Sequence, residues 1–194
     1  MCPSCGSLGR HRLDWLFLCE RTNLLHEPIR LLHVAPEPGL SRRFQALETV
    51  DYVSADYDST LASERMDIRN IDYPDESFDA IVCNHVLEHV DDDRTALSEL
   101  ARVLKRGGWA LLQVPIDPSS DETYDDPTLT SARERERAFG QYDHVRVYAK
   151  DYPSRLTEAG FEVDVIGYAQ EFTSEEISRM GLDRLEVIHL ARKP

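Results

Sequence analysis

Apolar and polar positions fall in blocks along the chain, and the period of the pattern changes from block to block. Residues 8–20 contain Leu13, Trp15, Leu16, Phe17 and Leu18 in a stretch long enough for a helix. "RLLHVA" (30–35) is a short continuous apolar run, which predicts a buried strand, and "LSRRFQAL" (40–47) predicts a short helix. "VDYVSAD" (50–56) reads as a second strand, with a short third near Arg65–Asp67. "FDAIVCNH" (78–85) is apolar and bounded by turn residues, the pattern of a strand covered on both faces. In "DDDRTALSELARVLKRGG", Leu97, Leu100, Ala101 and Leu104 recur at helical spacing. Aspartates open that helix, basic residues fill its last turn, and Gly107 stops it.

"WALLQVP" (109–115) is then a strand ended by Pro115. Residues 117–148 are polar and too long for a structureless connection, which predicts a functional or partly helical segment. "DYPSRLTEAG" reads as a helix ending at Gly160, and "FEVDVIGY" as a strand. "TSEEISRMG" carries a capping box, Thr173 with Glu176, and "LEVIHLAR" closes the chain as a strand. Alternating strands and helices predict an α/β fold with a mostly parallel sheet, the last two strands forming a hairpin-like edge. Two parts are expected: an N-terminal segment, 1–25, with a CxxC pair and a helix, and one domain over 26–194.

Composition narrows the possible partners. The net charge of -14 disfavours extended contact with a nucleic-acid backbone, which needs clustered Lys and Arg. Acidic runs such as Asp91–Asp93 and "SSDETYDD" read as solvated loops. No run approaches the roughly 18 apolar residues that cross a membrane. "MCPSCGSLGRHR" has no apolar core of a signal peptide, so a cytoplasmic protein without membrane contact is expected. Cys83 and Cys19, each in an apolar setting, read as core thiols. Cys2 and Cys5 have metal-binding spacing, but "CPSCG" offers only two of the four ligands of a structural zinc site. His11 and Cys19 would be poorly spaced additions, and the motif also looks like the second half of a zinc ribbon. Zinc is therefore entertained at Cys2 and Cys5 without being expected of this chain alone.

In open α/β sheets, ligands sit beyond the carboxyl ends of the strands, so the residues that follow each strand are the candidates. These are "HVAPEPG" after the first, Asp56 after the second, Asp67 and Ile68 after the third, and Asn84 and His85 after the fourth. A carboxylate ending the second strand can accept two hydrogen bonds from a ribose diol. Asp56 lies 19 residues beyond Glu37, close to the roughly 20 expected between a first loop and its ribose acid.

The series "LLHVAPEPGL", "YVSADYD", "MDIRNIDYPDESFDAIVCNHVLEHV", "LARVLKRGGWALLQVP" and "LTEAGFEV" resembles the class I S-adenosylmethionine-dependent methyltransferases, in particular their small methyltransferase-11-like domain. The resemblance covers roughly residues 30–168. It implies a Rossmann-like sheet of seven strands with helices on both faces and the last strand antiparallel. It also implies a cofactor site: methionine near 33–39, ribose on Asp56, adenine against Asp67 and Ile68, and Asn84 and His85 on the sulfonium side. The first loop departs from the family pattern. His33 stands where an acid is usual, and Ala35 and Glu37 where glycines are usual; Gly39 is kept. A loop rewritten in this way can still serve if the Glu37 carboxylate faces the cofactor.

In "AFGQYDHVRVY", Asp143 and His144 are a candidate acid–base pair, and His85 is a second candidate base. The alternative is that His144 and Arg146 are structural contacts of a lid. The function implied is methyl transfer from S-adenosylmethionine to an unidentified acceptor, in an unknown oligomeric state. A non-catalytic zinc-ribbon and methyltransferase-like adaptor is the other reading.

Overall fold

The computed structural model describes residues 1–58 and 60–194. Strands β1 (Ile29–Val34), β2 (Val50–Asp56), β3 (Glu64–Arg65), β4 (Phe78–Asn84) and β5 (Leu104–Gln113) are parallel. A separate two-stranded ladder pairs β6 (Tyr124–Asp125) with β7 (Arg146–Val147). With β8 (Glu162–Ile166) and β9 (Ile188–Arg192), the main sheet has seven strands in the order β3-β2-β1-β4-β5-β9-β8. The last two strands form the expected antiparallel pair. The later one takes the inner place, antiparallel to both β5 and β8.

Helices cover both faces: α1 (Gly9–Arg21), α2 (Pro38–Gln45), α3 (Asp93–Val103), α4 (Ala132–Phe139), α5 (Tyr152–Glu158) and α6 (Ser174–Met180). The pleat sends neighbouring residues to opposite sides. Leu31, Ala80, Val82 and Leu111 pack with Leu13, Phe17 and Leu18 of α1 and with Leu40 and Phe44 of α2. Leu32, Ile81, Cys83 and Leu112 meet Leu97 and Leu100 of α3 and Tyr152 and Leu156 of α5. The two-sided burial of β1, β4 and β5 is why each reads as an apolar run rather than an alternation.

Two expectations need revision. The helix expected to run to Gly107 ends at Val103, and Leu104 already pairs with Phe78 in the sheet. The register shifts just beyond that pair, so "KRGG" is a bulged strand. Lys105 reaches Asp79 (2.8 Å), and at Gly108 a Cβ would stand 2.7 Å from the Asp79 carbonyl oxygen. Secondly, Cys19 is only half-buried, whereas Cys83 is fully buried as expected. Segment 117–148 is partly helical, as expected: it holds β6, β7 and α4, with a Ser131–Glu134 capping box and a left-handed Gly140 at the helix end.

Candidate active site

β1 and β4 are neighbours in the sheet, with β2 on one side and β5 on the other, so the chain leaves β1 and β4 in different directions. Beyond their carboxyl ends lies a cavity of about 690 Å³. It is lined by Ala35, Asp56, Asp67, Ile68, His85 and Asp143, six of the expected site residues. Ala35 (φ 47) and His85 (φ 54) directly follow β1 and β4, and both adopt the left-handed conformation. That conformation costs an L-residue about 1–2 kcal/mol. Of the three non-glycine residues in this conformation among the described residues, these two turn the backbone along the cavity wall, and the third, Glu76, lies in the turn before β4.

The acids of the cavity are held in defined orientations. Asp56 Oδ1 accepts a hydrogen bond from the Asp58 amide (2.9 Å). Asp67 takes the Arg69 guanidinium on both oxygens (3.0 and 2.8 Å), and these hydrogen bonds hold its carboxyl below the usual range. Asp58 and Asp91 add two further carboxylates to the lining, against the guanidinium groups of Arg69 and Arg135. Acids outnumber bases, which favours a cationic ligand.

Not every expected residue lines this cavity. His33 is fully buried, with Nδ1 3.0 Å from the Tyr52 hydroxyl and Nε2 2.7 Å from Glu37 Oε2. Glu37 Oε1 is 3.4 Å from Asn84 Nδ2 and 3.7 Å from His11 Nε2. Asn84 also donates to Asp14 (3.2 Å). His33, Glu37 and Asn84 thus belong to a polar network between the sheet and α1. Burial opposes the charge on Glu37, but the His33 hydrogen bond and the nearby histidines outweigh it and keep the carboxyl low. Burial and the Glu37 charge push Asp14 the other way, well up. Gly39 has a different role from the one expected: a Cβ there would meet Cβ of Ser7 at 3.3 Å, so the glycine admits the N-terminal segment against α2.

The opposite wall combines the turn after β4 with the segment after α4. His85 Nδ1 is 3.4 Å from Glu88 Oε1, and His89 Nδ1 is 3.3 Å from Asp143 Oδ2. The rings of His89 and His144 meet edge to face, with centroids 4.7 Å apart. Asp143 and His144 are neighbours in the chain, but each faces His89, and no direct acid–base contact joins them among the described hydrogen bonds. Burial and the neighbouring His89 lower the His144 ring. Arg146, almost fully buried, donates to the carbonyls of Leu87 (2.7 Å), Val90 and Asp91 (2.8 Å) and so ties the two segments together.

Cys2 and Cys5 line a separate cavity of about 280 Å³ with Gly39 and Arg43. Hydrogen bonding to Ser7 lowers the Cys5 thiol to about 7. Among the described residues, no third histidine, cysteine or carboxylate joins the two thiols within metal-binding distance. The structure gives no support to zinc at this pair.

Residues 30–112 match the family described as a methyltransferase domain. Over that segment the chain is similar to a methyltransferase domain. The YcgJ protein of Bacillus subtilis has the same fold, with a TM-score of 0.61 at 16% identity over 95% of this chain and 99% of that one. An S-adenosylmethionine-dependent methyltransferase from Mesorhizobium loti superposes with a TM-score of 0.58 at 15% identity, over 93% and 98% of the two chains. In sequence, the uncharacterized methyltransferase YcgJ is 45% identical over 56 residues, 27% of this chain and 22% of that protein. The 27-O-demethylrifamycin SV methyltransferase of Amycolatopsis mediterranei is 31% identical over 120 residues, 61% of this chain and 42% of that protein. The sequence matches thus span less than half of these relatives.

Glu88 and His89 were visible in "VLEHV" without being assigned a role. The available clue was an acid and a histidine side by side directly after a buried strand. Arg146 could not be found that way, because its partners are backbone carbonyls.

Proposed function

We propose that the protein transfers a methyl group from S-adenosylmethionine to an acceptor that enters beside His85 and residues 143–144. The carrying observation is the cavity beyond β1 and β4, where the Asp56 carboxylate, the apolar Ile68 and the tight turn at Ala35 share one wall system. These groups fit the cofactor: a carboxylate suits a ribose diol, an apolar side chain suits a purine face, and acidic lining suits a sulfonium charge. The cofactor supplies a methyl carbon made electrophilic by that sulfonium. Asp56 would bind the ribose hydroxyls, and Ile68 with the backbone of Asp67 would hold the base. Asn84 and Glu37 lie behind the turn and would stiffen the amino-acid end of the site through their hydrogen bonds.

His85 is the candidate base. Its Nδ1 side faces Glu88, its buried Nε2 has no hydrogen-bond partner, and the residue lines the cavity. Once the ring turns its unpaired nitrogen into the opening, the imidazole can accept a proton from an acceptor hydroxyl or amine. Asp143 and Arg135 border the same opening and would limit water entry. No helix among the described residues is long and apolar enough to cross a membrane. The proposal includes a cytoplasmic setting, consistent with four free cysteines, and no long contact with nucleic-acid backbone.

Calorimetry with S-adenosylmethionine and S-adenosylhomocysteine tests the cofactor half of this reading, and a labelled-methyl screen tests the acceptor half. Asp56→Ala is expected to fold and to weaken cofactor binding by about 1.5–3 kcal/mol, the range for hydrogen bonds to a charged group. A parent protein that fails to bind either compound at millimolar concentration would overturn the proposal.

A further inference from the structure

We propose that Glu88, His89 and His144 form a binding site for one divalent first-row transition-metal ion on the acceptor side of the cavity. One ligand atom of each residue lies within 4.8 Å of the others, and among the described residues no other group of three does this. Two separate segments build the cluster. Glu88 and His89 sit on the single turn after β4, Leu87–His89, and His144 arrives from the segment after α4. The Val145 amide donates to the Glu88 carbonyl (2.8 Å), and Arg146 holds the same turn through the Leu87 carbonyl. These two contacts bring His144 beside Glu88.

The second observation is an unsatisfied buried atom. Glu88 is 2% exposed, and its Oε2 has no hydrogen-bond partner. Leaving a buried acceptor unpaired costs about 1–3 kcal/mol, more when it is charged. A cation beside Oε2 would remove that cost. The outer contacts also match a metal centre. Asp143 holds His89 through Nδ1, and His85 stands against Oε1 of Glu88. Carboxylate-to-histidine contacts of this kind orient metal ligands and leave the second ring nitrogen for the ion.

Two imidazoles with one carboxylate select first-row transition ions over magnesium or calcium, which prefer oxygen ligands. Three protein ligands leave coordination positions open, and His85, His89 and Asp143 all face the cavity. An oxygen of the acceptor, as a hydroxyl or carboxylate, would complete the shell there. That role rests on the methyltransferase reading; binding of the ion does not. Bonds of about 2.0–2.2 Å place neighbouring ligands roughly 3–3.5 Å apart. The cluster therefore has to contract by at most about 1.3–1.8 Å, within reach of χ rotation by the partly exposed His89 and His144.

The test titrates Co²⁺ into the metal-free full chain and follows its d–d absorption, with calorimetry for stoichiometry. One equivalent should bind with micromolar affinity. His144→Ala and Glu88→Gln should each weaken it by about tenfold or more, while the Cys2→Ser, Cys5→Ser double variant should bind like the parent. Circular dichroism checks folding, and should Glu88→Gln fail to fold, the partly exposed His144→Ala decides. Absence of binding at about 1 mM, equal binding by His144→Ala, or a thiolate charge-transfer band lost in the cysteine variant would each overturn the proposal. Cofactor affinity of the metal-free protein is measured separately. An ion bound without cofactor affinity would uphold the metal site while removing the methyltransferase reading.

Discussion

Glu37 and His33 hold each other in place across one turn of chain, 2.7 Å apart and largely out of water. In the family pattern an acid occupies the His33 position and a glycine the Glu37 position. Here the acid has moved four residues along and reaches back to a histidine that took its place. The two changes compensate, because either alone would leave a buried polar group without its partner. Glu37→Gln should therefore lower the thermal midpoint of the ligand-free protein, with a cost of about 1–3 kcal/mol. A double-mutant cycle on His33→Asp and Glu37→Gly, read by urea denaturation, should give a pair less destabilised than the sum of the singles. Additive singles would mean that the contact contributes nothing. The sequence displayed the substitutions plainly. It did not show that the carboxylate turns inward to His33, because that direction depends on α1 packing over the loop with His11 and Asp14.

At the scale of elements, reading was most successful where burial is two-sided. β1 and β4 lie near their expected bounds, since each carries an apolar run that packing on both faces satisfies. It failed where long-range pairing overrides local signals. Leu104 fits a helical stripe, and Lys105 and Arg106 look like a helix end, yet the pairing of Phe78 with Leu104 draws all three into β5. The ladder of β6 and β7 was missed for a related reason: two-residue strands have no period to read.

β9 supplies an acidic-pH prediction. Burial lowers the His189 ring to about 4, and its Nδ1 stands 3.2 Å from the Gln113 side-chain oxygen. The unfolded chain takes up a proton near 6.5, but the folded one does so only near 4. The stabilisation is thus complete above pH 6.5 and is lost as pH falls from there to about 4. The loss should amount to about 3 kcal/mol. His189→Gln, compared with the parent by urea midpoints across that range, should close the gap between the two proteins by this amount at pH 4. A gap independent of pH would assign the acid sensitivity elsewhere.

Across the whole molecule, the strand order carries the site. The crossing from β1 to β2 and the return to β4 leave a crevice that no single element contains, and six expected residues meet there. Their order along the chain was readable because each follows a strand. The remaining wall was harder to place, since Asp143 reaches it through a long excursion anchored by Arg146, with His144 outside the lining against the His89 ring.

The inner position of β9 also affects how the protein is made. Strands β1 to β5 can pair as they leave the ribosome, but β8 has no neighbour until Ile188–Arg192 has been synthesised. Until then β5 presents an open edge and β8 waits unpaired, a state prone to joining other chains. A variant stopped at Val187 should be recovered mainly in aggregates on expression, whereas one lacking residues 1–5 should stay in the soluble fraction. Equal recovery of both would show that the nascent sheet tolerates the gap. In the order of synthesis, the final strand is what closes the sheet between two partners already made.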